Sequence, residues 1–385
     1  MLTRLSKTAV PTTFPDPAAL AAADVGMPAC SHDEFSPLTE VVVGTSVGAR
    51  TPTLDRSAWL NLYPDLSASE LRGIAAGAFP PSLLAEAEED LDTLAATLSK
   101  LGVTVHRPTP VDHAAVFASP YWRTSGFHSY CPRDLALVVG NVIIQSPSPM
   151  RARMYELVGL RDLFQQKMLA GSPWIAGPTP QLRDELYPLD ESGRPVLAEV
   201  EPVFEAANVL RCGRDLLYLV SGSGNELGWQ WLRTTLSAFG EYRVHPIRDV
   251  YRYTHIDSTI SLIRPGLVLL NPARIRSGDV LPEPLRSWEH LWCPPMATKP
   301  PASPYPLSSE WLGMNLLMVR PDLAIVDSQQ QELIRLLEAH RIEVLPILLR
   351  HARVLGGGFH CVTLDIRRQS IHGGSLSDEV DGRNE

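Results

Sequence analysis

Residues 209–220 read VLRCGRDLLYLV: two short apolar strands about a Gly213-Arg214-Asp215 reversal. Residues 225–239 follow with helical periodicity, and 242–247 form a third β-type run. The hairpin–helix–strand unit recurs. Hairpins are predicted at 136–145 about Gly140-Asn141, at 261–270 about Arg264-Pro265-Gly266, and at 316–326 about Arg320-Pro321-Asp322. After the last, Ser328 and Gln331 have capping-box spacing, a helix runs to about His340, and 342–348 is a strand. Residues 40–46 (EVVVGTS) start a fifth unit without a nearby hairpin mate. There Leu84, Ala87, Leu91, Leu94, Leu98 and Leu101 mark a helix closed by Gly102, and 103–107 is the strand. Two units are less regular. One has a helix around 154–169 and then a Pro-rich stretch; the other is interrupted by the Pro- and Trp-rich segment 281–306. No such unit covers its own apolar faces, so five of them imply a closed α/β ring, with 361–367 (CVTLDIR) pairing with the lone first strand.

Residues 1–35 have no sustained periodicity and read as a flexible N-terminal extension. Residues 369–385 read as a loose polar tail, leaving 36–368 as a single domain. The net charge of −9 argues against a nucleic-acid partner. Five scattered cysteines without a CxxC pair fit neither a disulfide framework nor a zinc ribbon and suit a reducing, cytoplasmic setting. No apolar run approaches a membrane span, so no membrane partner is expected.

Four residues stand at the start of a repeat or of the closing strand: Asp134, Glu205, His255 and Cys361. Equivalent strand ends in a ring face one axis, so these groups should converge on a central pocket. Gly356-Gly357-Gly358 before Cys361 suits either a close backbone approach to a ligand or a reactive thiol on a permissive loop. His360 beside it settles nothing, because neighbouring strand residues point to opposite faces. His255 and Asp257 are two apart and share a face if the segment is extended. They suit a base beside a cation-binding carboxylate, while a metal is discounted for want of a third ligand at supporting spacing. Taken singly, each acid also reads as an ordinary surface carboxylate. Together, a cysteine, a histidine and several acids suit thiolate attack on a planar, cationic carbon.

At these residues the chain resembles the amidinotransferase family, above all its inosamine-phosphate branch, with similarity also to the glycine-type enzymes. The resemblance is carried by SPLTEVVVGTSVGAR (36–50), FHSYCPRD (127–134), EPVFEAANVLR (201–211), NELGWQWL (225–232), THIDSTI (254–260), RPGLVLLNPAR (264–274), WLGMNLLMVRPDLAIVD (311–327) and LGGGFHCVTLDIRR (355–368). It implies a five-bladed α/β propeller of the pentein type around a central active site. It places the nucleophile at Cys361, the general acid/base at His255 and the histidine's partner acid at Glu205. Asp134 and Asp257 would hold a guanidinium, and Arg274 the carboxylate of an L-arginine donor. Two departures are visible. Where the family usually has Asp, this chain has Glu205, a glutamate partner being familiar in related arginine deiminases, which hydrolyse; and Thr254 and Gly313 look more like the inosamine branch. The implied reaction is arginine-dependent amidino transfer through an amidino-cysteine to a primary amine, releasing ornithine without metal or other cofactor. The expected acceptor is an amino-cyclitol phosphate of antibiotic biosynthesis. Glycine or another specialised-metabolism amine is the alternative acceptor, and hydrolysis the alternative reaction. Oligomeric state is open, a homodimer being one expectation.

Overall fold

The computed structural model describes residues 26–63, 66–297 and 307–369. The hairpin at 209–220 forms as Val209–Cys212 antiparallel to Asp215–Leu219, with Gly213 at φ +66° making the reversal without a Cβ penalty. Helix Glu226–Leu236 follows, capped by Asn225, whose side chain accepts the Gly228 N–H. The helix buries Leu232 and Leu236 and returns the chain so that Arg243–Ile247 pairs parallel to Asp215–Leu219. An antiparallel hairpin plus a parallel third strand is repeated in the sheets Ala136–Val139/Val142–Gln145/Trp174–Ala176, Ile260–Arg264/Leu267–Leu270/Glu289–Trp292 and Leu317–Arg320/Leu323–Asp327/Glu343–Ile347. The fifth sheet joins the two ends of the domain. Leu38–Val43 pairs antiparallel with Thr363–Arg368 and parallel with Thr104–His106.

The apolar clusters link these five sheets in a cycle. Val42 and Leu364 of the terminal sheet pack with Val138 and Ile143. Leu137 and Ile144, on the other face of that hairpin, pack with Val209 and Tyr218. Leu210 and Leu217 share a core with Leu262, Leu269, Met318 and Ala324. Leu317 and Ile325 complete the cycle against Val41 and Val43. The hairpin strands thus bury both faces, which is why these segments read as continuous apolar runs and not as alternating ones, while the third strand of each sheet stays partly exposed.

Several expectations are corrected. Residues 29–35, read as part of the flexible extension, are packed into the fold: Cys30 bridges Arg367, Ser31 bridges Gly140 and Asp33 bridges Cys212. A short polar segment held by single β-bridges, with few apolar residues, leaves no periodicity to read. Residues 1–25 and 370–385 lie outside the described residues. The closing strand begins at Thr363, two residues after Cys361. The Ser328 capping box does not form; Gln331 Nε2 donates to the Ser328 carbonyl instead. The 154–169 helix is split into a 3-10 stretch, Glu156–Leu160, and an α-helix, Arg161–Leu169.

The inserted segment brings Glu34 into a buried ion cluster. Arg211 donates from Nε to Glu34 Oε1 at 2.8 Å and from Nη2 to Glu34 Oε2 at 2.7 Å and Asp365 Oδ2 at 2.8 Å. Arg133 reaches Asp365 Oδ1 at 2.6 Å, and Arg368 Nε reaches Asp365 Oδ2 at 2.7 Å. Asp365 is 0% exposed, so three guanidinium groups and two carboxylates balance their charge away from the surface. Removing one partner leaves buried charge uncompensated, which costs about 3–5 kcal/mol. Asp365→Asn should lower the unfolding free energy by about that amount in urea titrations.

Candidate active site

Helix Ala352–Leu355 ends at Gly356, whose φ of +87° is a left-handed C-cap. Gly357 follows where a Cβ would collide with Cys131 Sγ, so the loop passes closer to the core than any other residue allows. The chain then makes a tight turn, with Val362 N–H donating to Gly358 O at 3.0 Å. His360 and Cys361 therefore do not sit on opposite faces of a strand. Both their N–H groups donate to Asn315 Oδ1, at 2.9 and 3.1 Å, and Asn315 Nδ2 lies 3.2 Å from Cys361 Sγ. One carboxamide thus fixes both the backbone and the side chain of the cysteine.

His255 and Asp257 are not on an extended segment either. His255 has φ +62°, a conformation that costs a non-glycine residue on the order of 1 kcal/mol and aims its ring into the centre. Its N–H donates to Ser223 Oγ at 3.2 Å, and its Nε2 donates to Glu205 Oε2 at 2.6 Å. Glu205 Oε1 accepts from Ser148 Oγ at 2.7 Å, and Oε2 also accepts from Arg153 Nη1 at 3.1 Å. Asp134 ends a short 3-10 turn, Pro132–Asp134. Its Oδ2 accepts from Arg153 Nη1 at 2.9 Å, and Oδ1 lies 3.7 Å from His255 Nδ1. That Oδ1 is buried and makes no hydrogen bond among the described residues. Asp257 Oδ2 accepts from His360 Nδ1 at 2.9 Å and lies 3.2 Å from Cys361 Sγ. His360 Nε2 in turn lies 3.1 Å from Glu34 Oε2, joining the site to the buried ion cluster.

Asp134, Glu205, His255, Asp257 and Cys361 thus face one cavity, which holds about 660 Å³ of unfilled space, its mouth included. Arg274 stands behind the cavity wall. Its guanidinium stacks on the Tyr251 ring, 3.4 Å from the ring centre, and donates to Ser258 Oγ at 2.8 Å and Ser309 Oγ at 2.9 Å. Tyr251, Ser258 and Ser309 are the groups that line the cavity there.

Reading the sequence missed Arg153, Asn315 and His360. Arg153 is the buried cation that lets Asp134 and Glu205 lie close together, and it is itself held by Glu156 at 2.8 and 2.9 Å. It falls in the irregular unit, where no motif marks it. Asn315 and His360 lie inside quoted motifs, but their role depends on a turn that spacing does not reveal.

The electrostatics set the protonation states. Burial works against charge on Glu205, but the Arg153 charge and the His255 hydrogen bond overcome it and hold the carboxyl at about 2. Burial likewise opposes charge on Asp257, and the His360 hydrogen bond brings it to about 2. Burial would lower His255, yet Asp134, Cys361 and Glu205 together raise it well above the usual histidine range. The Cys361 thiol is pushed up by its hydrogen bond with Cys131, by burial and by the Asp257 charge, against a downward pull from His255. Both shifts favour a thiol beside an imidazolium. Atoms of Asp134, His255 and Cys361 lie within 4.8 Å of one another, close enough to meet on one cation. A metal ion there would have to displace protons from both the thiol and the imidazole.

A carboxylate whose pKa is lower folded than unfolded adds stability above its unfolded value. That stability is lost as pH falls toward the folded value. For Glu205 and Asp257 the loss should run from about pH 5 down to about pH 2. Thermal melts across that window check it, and Glu205→Gln should flatten the slope.

A cysteine, a carboxylate-held histidine and paired acids at one cavity, set in five hairpin–helix–strand sheets, define a guanidine-modifying enzyme. The chain belongs to the amidinotransferase family and is an amidino-transferring enzyme. It is 52% identical over 338 residues to inosamine-phosphate amidinotransferase 1 of Streptomyces griseus, covering 88% of this chain and 96% of that one. It is 33% identical to the L-arginine:L-lysine amidinotransferase of Pseudomonas savastanoi pv. phaseolicola, covering 89% and 95%. The solved inosamine-phosphate amidinotransferase from Streptomyces griseus superposes with a TM-score of 0.83 at 51% identity, covering 89% and 97%. Pentein-fold dimethylarginine dimethylaminohydrolase from Pseudomonas aeruginosa, at 11% identity and a TM-score of 0.56, shares the fold alone. No family model matches the chain. Among the described residues no helix is long and apolar enough to cross a membrane.

Proposed function

We propose that the five sheets are the blades of a pentein-type propeller, and that its central site moves the amidino group of L-arginine to an amino-cyclitol phosphate. The observation that carries the reading is Asp134 Oδ1, buried without a hydrogen bond among the described residues, 3.7 Å from the His255 ring and facing Cys361 across the cavity floor. A buried carboxylate oxygen without a donor is a place for an N–H-rich cation. The donor's guanidinium lies between Asp134 and Asp257. Its carboxylate faces Ser258 and Ser309, with the Arg274 charge behind them.

As the cation binds, it offsets the carboxylate charge that helps hold up the Cys361 pKa, and the thiol gives its proton to solvent at the cavity mouth, to be taken back when the product leaves. Sγ bonds to the guanidinium carbon. The resulting tetrahedral adduct collapses as His255 gives its Nδ1 proton to the departing nitrogen, the C–N bond breaks and ornithine leaves. His255 is now neutral and Cys361 carries the amidino group. The acceptor amine gives a proton to His255, attacks the same carbon and breaks the C–S bond. Glu205 holds the ring and its charge throughout. Both ends of the transfer are alkylguanidines, so the reaction needs positioning and not an energy source.

The acceptor follows the inosamine-phosphate relatives, which are about half identical over nearly the whole domain. Arginine carrying a labelled guanidino carbon, offered with an inosamine phosphate, glycine and lysine in competition, tests this. Label should pass to the inosamine phosphate at least tenfold faster than to either amino acid. Preferential labelling of glycine or lysine would replace the acceptor, and labelled urea or citrulline would replace transfer with hydrolysis.

Two further results are expected. Asp257→Asn should lower kcat/KM for arginine about 10²- to 10³-fold, because a buried guanidinium loses a compensating charge. Arg274→Ala should raise KM for arginine about tenfold with kcat largely kept, a long-range charge being removed from a group that does not react. Steady-state kinetics check both.

A further inference from the structure

Asn61 is the last residue of helix Arg56–Asn61 and is only 4% exposed. It lines the catalytic cavity, yet neither its Oδ1 nor its Nδ2 has a hydrogen-bond partner among the described residues. Buried carboxamides are almost always paired, so one left open at both ends and facing a cavity is a group awaiting a ligand.

Its placement is fixed from several sides. Asp55 caps the helix, accepting the Ala58 N–H at 3.1 Å, and is held by Arg151 at 3.0 Å. Arg194 binds the carbonyl oxygens of Trp59 and Leu66. Thr254 Oγ1 donates to the Asn61 carbonyl at 3.0 Å, so the residue before the catalytic histidine also holds this backbone. Gly222 packs against the amide, and a Cβ there would sit 3.1 Å from Oδ1. Gly222, Leu60 and Tyr251 line a second, broader groove alongside, so Asn61 stands where the cavity borders it.

From this geometry we infer that Asn61 reads the acceptor, binding a ring hydroxyl of a polyhydroxylated amine. The inference rests on the amidino-transfer reading above and extends it to acceptor choice. A carboxylate offers only acceptors and an ammonium only donors, so either alone leaves half the amide unpaired. A hydroxyl donates to Oδ1 and accepts from Nδ2. Of the neighbouring hydroxyls, Thr254 donates to the Asn61 carbonyl and Ser309 accepts from Arg274, whereas the amide is open at both ends among the described residues.

The two half-reactions of a ping-pong enzyme separate in kcat/KM, one value for arginine and one for the acceptor. Asn61→Leu is isosteric and removes an unpaired polar group, so its melting temperature should equal or exceed that of the wild type. For an inosamine phosphate, kcat/KM should fall about 10- to 100-fold, the loss of one or two hydrogen bonds. For arginine it should stay within twofold. With cyclohexylamine, a ring amine without hydroxyls, wild type and variant should match. Asn61→Asp, which keeps an acceptor but loses the donor, should fall between the two.

A loss confined to arginine would make Asn61 part of the donor site and overturn the inference. So would unchanged acceptor kinetics, or an equal loss with cyclohexylamine. Wild type that forms no ornithine from arginine would overturn the transfer reading and this inference with it. That result is distinct from an intact first half-reaction with unaltered acceptor kinetics.

Discussion

Cys361→Ser should lose turnover by about 10⁶-fold while binding arginine within a few fold of the wild type. The side chain is buried between Asp257 and Asn315, and the serine hydroxyl is smaller than the thiol, so the cavity keeps its shape and its carboxylates. What disappears is the nucleophile. A serine hydroxyl is far less acidic than a thiol, and the carboxylates around it oppose ionisation further. Ornithine release measured against calorimetric binding of arginine separates the two effects. A serine variant with appreciable turnover would remove the covalent step from the account.

Glu205 supports the second large effect. Its carboxylate accepts from His255 Nε2 at 2.6 Å and shares Arg153 with Asp134, so it both orients the ring and balances the imidazolium. In the serine-protease triad, converting the histidine's partner acid to its amide costs about 10⁴ in kcat, and Glu205→Gln should lose a comparable factor. Glu205→Asp keeps the charge but shortens the reach. A displacement of about 1 Å is worth about 10² in rate, so this variant should retain roughly a hundredth of wild-type activity. Ornithine and citrulline are measured together for wild type and both variants. Equal activity of wild type and Glu205→Gln would make Glu205 a bystander. Citrulline as the main wild-type product, with amine abundant, would make it the mark of a hydrolase.

How the sequence encodes these features differs from element to element. The hairpins were legible because strands buried on both faces need continuous apolar runs, broken by a turn residue such as Gly213 or Gly140. The joining of residues 38–43 to 363–368 was legible from the same logic, since a lone strand at each end requires a partner. Residues 29–35 were not legible, because their hold on the fold comes from backbone bridges and from Glu34, not from apolar periodicity. Motif order singles out the candidate site residues, and the repeat predicts that Asp134, Glu205, His255 and Cys361 meet at one cavity. Spacing puts His255 and Asp257 on one face of an extended segment; in the structure a left-handed residue and a turn bring them to the centre instead. Likewise the turn after Gly358 lets His360 and Cys361 reach the same carboxylate. Arg153 had no signal at all. Its need becomes apparent only once two carboxylates are seen to crowd one histidine. The wall that meets the acceptor includes Asn61, which lies on a short helix within a segment that carries no recognisable pattern.

The central claim is that Cys361 carries the amidino group between donor and acceptor. Intact-protein and peptide mass spectrometry after acid quenching tests it most directly, with arginine present and no amine. The account predicts one added amidino group per chain, confined to the peptide containing Cys361, formed as ornithine appears and lost when an amine acceptor is added. Ornithine formation with an unmodified Cys361, or an adduct on another residue, would contradict it.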